Sequence, residues 1–179
     1  MIVGCKGTVI PNSVASIGES SFRGCGDLVS IAIPEGVTTI REYAFQDCNS
    51  LKTVIIPSSV DSIKTMVWYD CSSLEHVYCY AVSVPYTMWG CFSNNDLFNS
   101  TLHVPASALE DYRVANEWMS FGNIVALTDE EMTACVADMK IEGKDAVRYD
   151  LRGNRLLSPT RGLNILRMSD GTMRKVMQK

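Results

Sequence analysis

Apolar residues in the first hundred positions recur in a fixed phase. Ile33-Pro34 is followed by Val37, Ile40, Phe45, Cys48, Leu51, Val54 and Ile56-Pro57. The series occurs 23 residues earlier as Ile10-Pro11, Val14, Ile17, Phe22, Cys25, Leu28 and Ile31, and 23 later as Val60, Ile63, Trp68, Cys71, Leu74, Val77 and Cys79. Complete units therefore span 11–33, 34–56 and 57–79. Alternation around Ile31/Ile33, Val54/Ile56 and Val77/Cys79 predicts a strand with one buried face in each unit. Proline ends that strand because it has no N–H to give the ladder. The Val-x-x-Ile stretch predicts an extended return path, and Phe-x-x-Cys a tight helical turn carrying the aromatic inward. No unit covers its own apolar face, so the pattern predicts coils stacked into a solenoid.

Outside the three units the phase loosens. By alignment with Ile31-Ala32-Ile33, Thr8-Val9-Ile10 is a strand, and residues 1–10 enter in mid-coil. Val14, Ile17 and Phe22 then lack an upstream neighbour, which predicts self-association through this end or a longer repeat protein. Residues 80–104 read as a degenerate fourth coil, with Trp89, Cys91, Phe92, Leu97 and Phe98 filling its core. From Ser107 the period becomes helical. Ser107 and Glu110 match a capping box, Leu109, Tyr112, Ala115 and Trp118 or Met119 share a face, and Gly122 closes the helix. The solenoid with its cap is thus expected over 1–126, the cap itself occupying 105–126. A short helix (Met132, Cys135, Val136, Met139) and linker are expected over 127–146. Alternating residues and the Asp170-Gly171 turn signal predict a small β-hairpin tail domain over 147–179.

A period of about 20–29 residues with leucine-like positions is that of leucine-rich repeats. The expected fold class is a β-rich α/β solenoid of such repeats, with a C-terminal helical cap and a small antiparallel β tail. The unit I-P-x-x-V-x-x-I-x-x-x-x-F-x-x-C-x-x-L-x-x-I-x-I-P resembles the BspA-type leucine-rich repeats of bacterial cell-surface proteins over residues 10–105. The stretch Tyr149-Asp150-Leu151-Arg152-Gly153-Asn154-Arg155 through Gly162-Leu163-Asn164-Ile165 is similar to C-terminal sorting-type β-domains of secreted proteins from the same bacteria. It carries Asn154 where an arginine is usual. The resemblance implies an exported, bacterial cell-surface or extracellular protein used for adhesion or protein binding, with no cofactor and no catalytic residues.

Charge narrows the choice of partners. Residues 1–147 carry 8 Lys+Arg against 18 Asp+Glu, and residues 148–179 carry 8 against 2. An acidic body disfavours nucleic acid, and the basic residues of the tail alternate with apolar ones as on a half-exposed hairpin. No run is long and apolar enough to read as a transmembrane segment, and no basic-then-apolar leader opens this chain. Of the 7 cysteines, Cys25, Cys48 and Cys71 are repeat positions, and no Cys-x-x-Cys pair exists. They read as reduced, buried small hydrophobes rather than metal ligands.

A catalytic Cys–His pair would need an outward thiol beside His76 or His103, the two histidines of the chain. The phase instead turns Cys25, Cys48, Cys71 and Cys79 inward. No enzyme, cofactor or metal is therefore expected. What the strands offer is an outward surface of two rows. One is Val9, Ala32, Ile55, Tyr78 and His103; the other is Gly7, Ser30, Thr53, His76 and Thr101. The first is oddly apolar for solvent and marks a contact surface, unless loops or the tail cover it. The expected function is a non-catalytic binding module for a protein or glycan ligand, such as a host surface. The alternative is a structural terminator and export tag of a longer repeat protein, without a ligand of its own.

Overall fold

A computed structural model describes residues 9–128, residue 131, and the strands at 147–149, 155–156, 162–167 and 173–178. The chain forms two compact units, Met1–Asp129 and Glu130–Lys179. In the first, short parallel strands alternate along the chain between two sheets. Strands β2 (Ser30–Ala32), β4 (Thr53–Ile56), β6 (His76–Cys79), β8 (Thr101–Val104) and β9 (Asn123–Ala126) pair in that order in one sheet. Strands β1 (Ser16–Ile17), β3 (Thr39–Ile40), β5 (Ser62–Ile63) and β7 (Tyr86–Thr87) pair in the other. The extended return path expected from Val-x-x-Ile is thus itself a ladder, with Ile17, Ile40 and Ile63 in register. The β-rich solenoid is as the repeat demands.

Val9 and Ile10 carry no strand, so the first sheet begins at β2. Around the start of the array, Ile10, Val14, Ile17 and Phe22 help line a mainly apolar hollow of about 200 Å³.

The Phe-x-x-Cys turn is not helical. A helical turn would close its N–H groups within the coil, whereas here alternate ones reach the next coil. Ser20, Phe22 and Gly24 donate to the carbonyls of Glu42, Ala44 and Gln46, and Tyr43, Phe45 and Asp47 to those of Thr65, Val67 and Tyr69. Left-handed residues at Ser20, Tyr43, Met66 and Gly90, and again at Gly24, Asp47, Asp70 and Asn94, give the turn this shape. Each coil is thereby bonded to its neighbour on three sides, which leaves few backbone groups of the interior unsatisfied.

The core is built of columns. Phe22, Phe45, Trp68 and Phe92 stack nearly parallel, with successive centroids 4.9, 6.0 and 5.0 Å apart. Each such contact adds roughly 0.5–1.5 kcal/mol to the burial of the rings. Cys25, Cys48 and Cys71 are buried and not disulfide-bonded, as are Cys79 and Cys91.

The fourth coil departs from expectation at two residues. Cys91, Phe92 and Leu97 are buried, but Trp89 is 71% and Phe98 80% exposed. Phe92 occupies the aromatic slot against Trp68, so the column has no place for Trp89.

The cap also differs. Its helix, α1 (Leu109–Val114), is short, and Ala108 stands at its N-cap with no side-chain cap bond. A 3-10 turn over Ala106–Ala108 precedes it, with Ala108 N–H bonded to the Pro105 carbonyl, and Ser107 is exposed. Ser107 therefore does not cap the helix. The helix stops because Ala115 is extended and Glu117 is left-handed, with φ 66°. Of the expected face, Tyr112 and Trp118 are fully buried, Leu109 and Ala115 partly so, and Met119 is exposed. Tyr112 meets Trp118 edge-on at 5.3 Å, and Trp118 and Phe121 close over Phe92. The cap then returns as β9, paired with β8, so it is a fifth coil whose turn has become a helix.

Gly122 has another role than closing a helix. Its N–H bonds the Leu97 carbonyl, and a Cβ on it would lie 1.9 Å from the Phe98 oxygen. The short helix expected at Met132–Met139 lies outside the described residues. In the second unit, β10 (Val147–Tyr149), β11 (Arg155–Leu156), β12 (Gly162–Arg167) and β13 (Met173–Gln178) form an antiparallel sheet in the order β11-β10-β12-β13. The Asp170-Gly171 turn is outside the described residues.

Candidate functional site: the outward face of the first sheet

Alternation along each strand divides inward from outward residues. Ile31, Val54, Val77 and Leu102 point into the core, and so do Ile56, Cys79 and Val104. The residues between them form two outward rows whose register the strand pairing fixes. One runs Ser30, Thr53, His76, Thr101 and Asn123; the other runs Ala32, Ile55, Tyr78, His103 and Val125. Neighbours in a row lie one strand spacing apart, about 4.8 Å.

Both expected rows are therefore present from β2 onward, and each gains a member on β9. Ser30 and Ala32 are exposed, while Thr53, Ile55, His76, Tyr78, Thr101 and His103 are half-buried. Val9 is exposed but lies before the sheet, so it does not extend the apolar row. Gly7 lies outside the described residues.

Three rings converge on β6 and β8. Tyr78 and His103, paired across the two strands, stack at 4.2 Å with planes 18° apart. His76 completes the group, its Nδ1 lying 3.3 Å from Nε2 of His103. Beside them Lys52 and Glu75 form an ion pair of 2.6 Å, and that lysine holds the Glu75 carboxyl below its ordinary range.

Cys79 stands on the opposite, buried side of β6, and Cys91 is buried in a turn of the fourth coil. Burial pushes Cys79 up to about 11 and Cys91 up to about 12, so neither forms the thiolate that nucleophilic chemistry needs. Cys79 instead lies 3.1 Å from the Tyr112 hydroxyl, which donates to the Ala81 carbonyl at 2.9 Å.

Sequence reasoning missed a second exposed aromatic group. Tyr86 is 66% exposed and, with Trp89, edges a cleft that also includes Pro85, Asn116 and Trp118. The signal was a departure from the repeat. Tyr86 continues the register row of Ser16, Thr39 and Ser62, all small and polar.

Coils that bury columns and display rows define a leucine-rich-repeat solenoid, a fold that presents surface. A family model described as BspA type Leucine rich repeat region (6 copies) matches residues 4–117, and the chain belongs to that family. Such repeats form protein-interaction modules and are generally non-enzymatic. No curated protein matches the chain.

Proposed function

We propose that the outward face of the first sheet docks a protein partner, and that the chain works as an adhesion or binding module at a bacterial surface or in secreted form. The observation that carries this reading is the row Ala32, Ile55, Tyr78, His103 and Val125, apolar and aromatic on a face turned to solvent. The adjacent row of Ser30, Thr53, His76, Thr101 and Asn123 supplies hydroxyl, imidazole and amide groups. An apolar centre beside a polar border is the anatomy of a protein interface. Ile55 and Val125 add branched aliphatic contact, which suits a protein better than the hydroxylated surface of a glycan. The surface or secreted location follows the habit of BspA-type proteins.

The test uses purified surface proteins and glycans arrayed against the full chain. The double variant Ile55→Ser, Tyr78→Ser should lose protein binding by tenfold or more, since central interface side chains contribute about 1 kcal/mol or more each. Its melting temperature should stay near the parent value, because both side chains face outward. Unchanged protein binding by the folded variant, or binding to glycans alone, would remove the reading.

A further inference from the structure

We propose that His76 and His103 form a two-ligand site for a divalent transition ion of the zinc class. Their strands β6 and β8 are adjacent, and the two residues are offset by two pairs in the ladder, His76 facing Thr101 and His103 facing Tyr78. That offset brings Nδ1 of His76 to 3.3 Å from Nε2 of His103. Two nitrogens bound to one tetrahedral zinc, each at about 2.0–2.1 Å, lie about 3.3–3.4 Å apart. A square-planar ion would draw them to about 2.8–3.0 Å. The facing nitrogens therefore already have the separation of tetrahedral ligands, on a sheet that holds both backbones. The Tyr78 ring, stacked on His103 at 4.2 Å, fixes one imidazole plane. Both histidines are half-buried, so an ion can reach them from solvent.

Imidazole nitrogen is a preferred ligand of zinc, copper and nickel, and it binds in its neutral form. Without an ion, the facing nitrogens share one proton. On binding, that proton moves to the other nitrogen of the ring that held it, Nε2 of His76 or Nδ1 of His103. Two neutral rings thus take up the ion with no net proton release. Among the described residues no group of three His, Cys, Asp or Glu is placed to hold a metal. The remaining positions fall to water or to a donor on a bound molecule.

The site does not rest on the docking reading, and either can fail alone. The test is a zinc titration of the full chain against a chromophoric chelator, with proton–carbon spectra of the imidazoles. The two histidines of the chain make those spectra simple to assign. One equivalent should bind, and both rings should shift together. His76→Gln and His103→Gln should each weaken binding about tenfold or more, as loss of a ligand or its support does. Absence of uptake at millimolar zinc would overturn the proposal, as would a shift confined to one ring. So would uptake that survives the double substitution, which would place the ion on cysteine. The parent spectra decide the matter even if a variant fails to fold.

Discussion

The repeat cysteines show how a single residue type serves the whole stack. Cys48 and Cys71 donate from sulfur to the carbonyls of Phe22 and Phe45 in the preceding coil, at 3.1 and 3.2 Å. In the fourth coil Asn95 takes the slot, donating to the Trp68 carbonyl at 2.8 Å and accepting from Cys71 N–H at 2.7 Å. The sequence made burial of these thiols legible through phase, but not their donor role, because the acceptor belongs to another coil. Asn95 was the available sign, since a polar residue in a buried column must have a partner. Trp68 pays no such attention to the rule: its Nε1 has no partner, the cost of placing an indole in a column otherwise of phenylalanine. Burial of Cys79 and Cys91 also fixes a pH dependence. Both thiols rise from an ordinary value of 9.0, to about 11 and about 12, so the fold favours their neutral form. Their contribution is complete below pH 9.0 and is lost as pH rises through the folded values. The urea midpoint should therefore fall from pH 9 toward pH 10.5, and Cys79→Val with Cys91→Val should flatten that fall. An equal slope in parent and variant would refute the assignment.

At the scale of elements, strands were easier to read than turns. Strand alternation is local and repeated, so β4, β6 and β8 follow from Val54/Ile56, Val77/Cys79 and Leu102/Val104. The turn geometry was half written. Gly24, Asp47, Asp70 and Asn94 are residue types that tolerate the left-handed region, whereas Ser20, Tyr43 and Met66 adopt it without such a signal. Two or three bonds per turn to the adjacent coil hold them there. The cap was misread for a related reason: Ser107 and Glu110 fit a capping box, but the turn begun at Pro105 shifts the helix start past Ser107. Gly122 was seen as punctuation, while its actual constraint is the backbone of Phe98. That constraint is testable. Gly122→Ala forces main chain against main chain, which no rotamer change relieves, and overpacking of this kind costs about 1–3 kcal/mol. Urea unfolding should show that loss, with the Val125 amide exchanging faster as β9 loosens from β8. A variant as stable as the parent would mean that the cap can move away from Phe98 freely.

For the whole molecule, the stacking order was legible because period alone dictates it, and the two outward rows followed from alternation. Tyr78 beside His103 was legible as neighbours in one row across the irregular fourth coil, whereas the approach of His76 to His103 was not, since it joins the two rows through side-chain geometry. That coil takes a step of 25 from His76 to Thr101, where the regular step from Thr53 to His76 is 23. In a linear array each coil touches only its neighbours, so stability is a sum of coil and interface terms. Phe45 contributes to two interfaces, stacking on Phe22 at 4.9 Å and Trp68 at 6.0 Å, and it is fully buried. Phe45→Ala should cost about 3–5 kcal/mol and weaken coupling on both sides of its coil. Hydrogen exchange distinguishes this from uniform destabilisation. Amides of Ile31, Ile40, Val54 and Val77 should lose protection first, while Leu102, two strands beyond Val54, keeps its own. Equal loss at all five amides would show instead that the coils unfold as one cooperative body, with the cap and the first coil held or lost together.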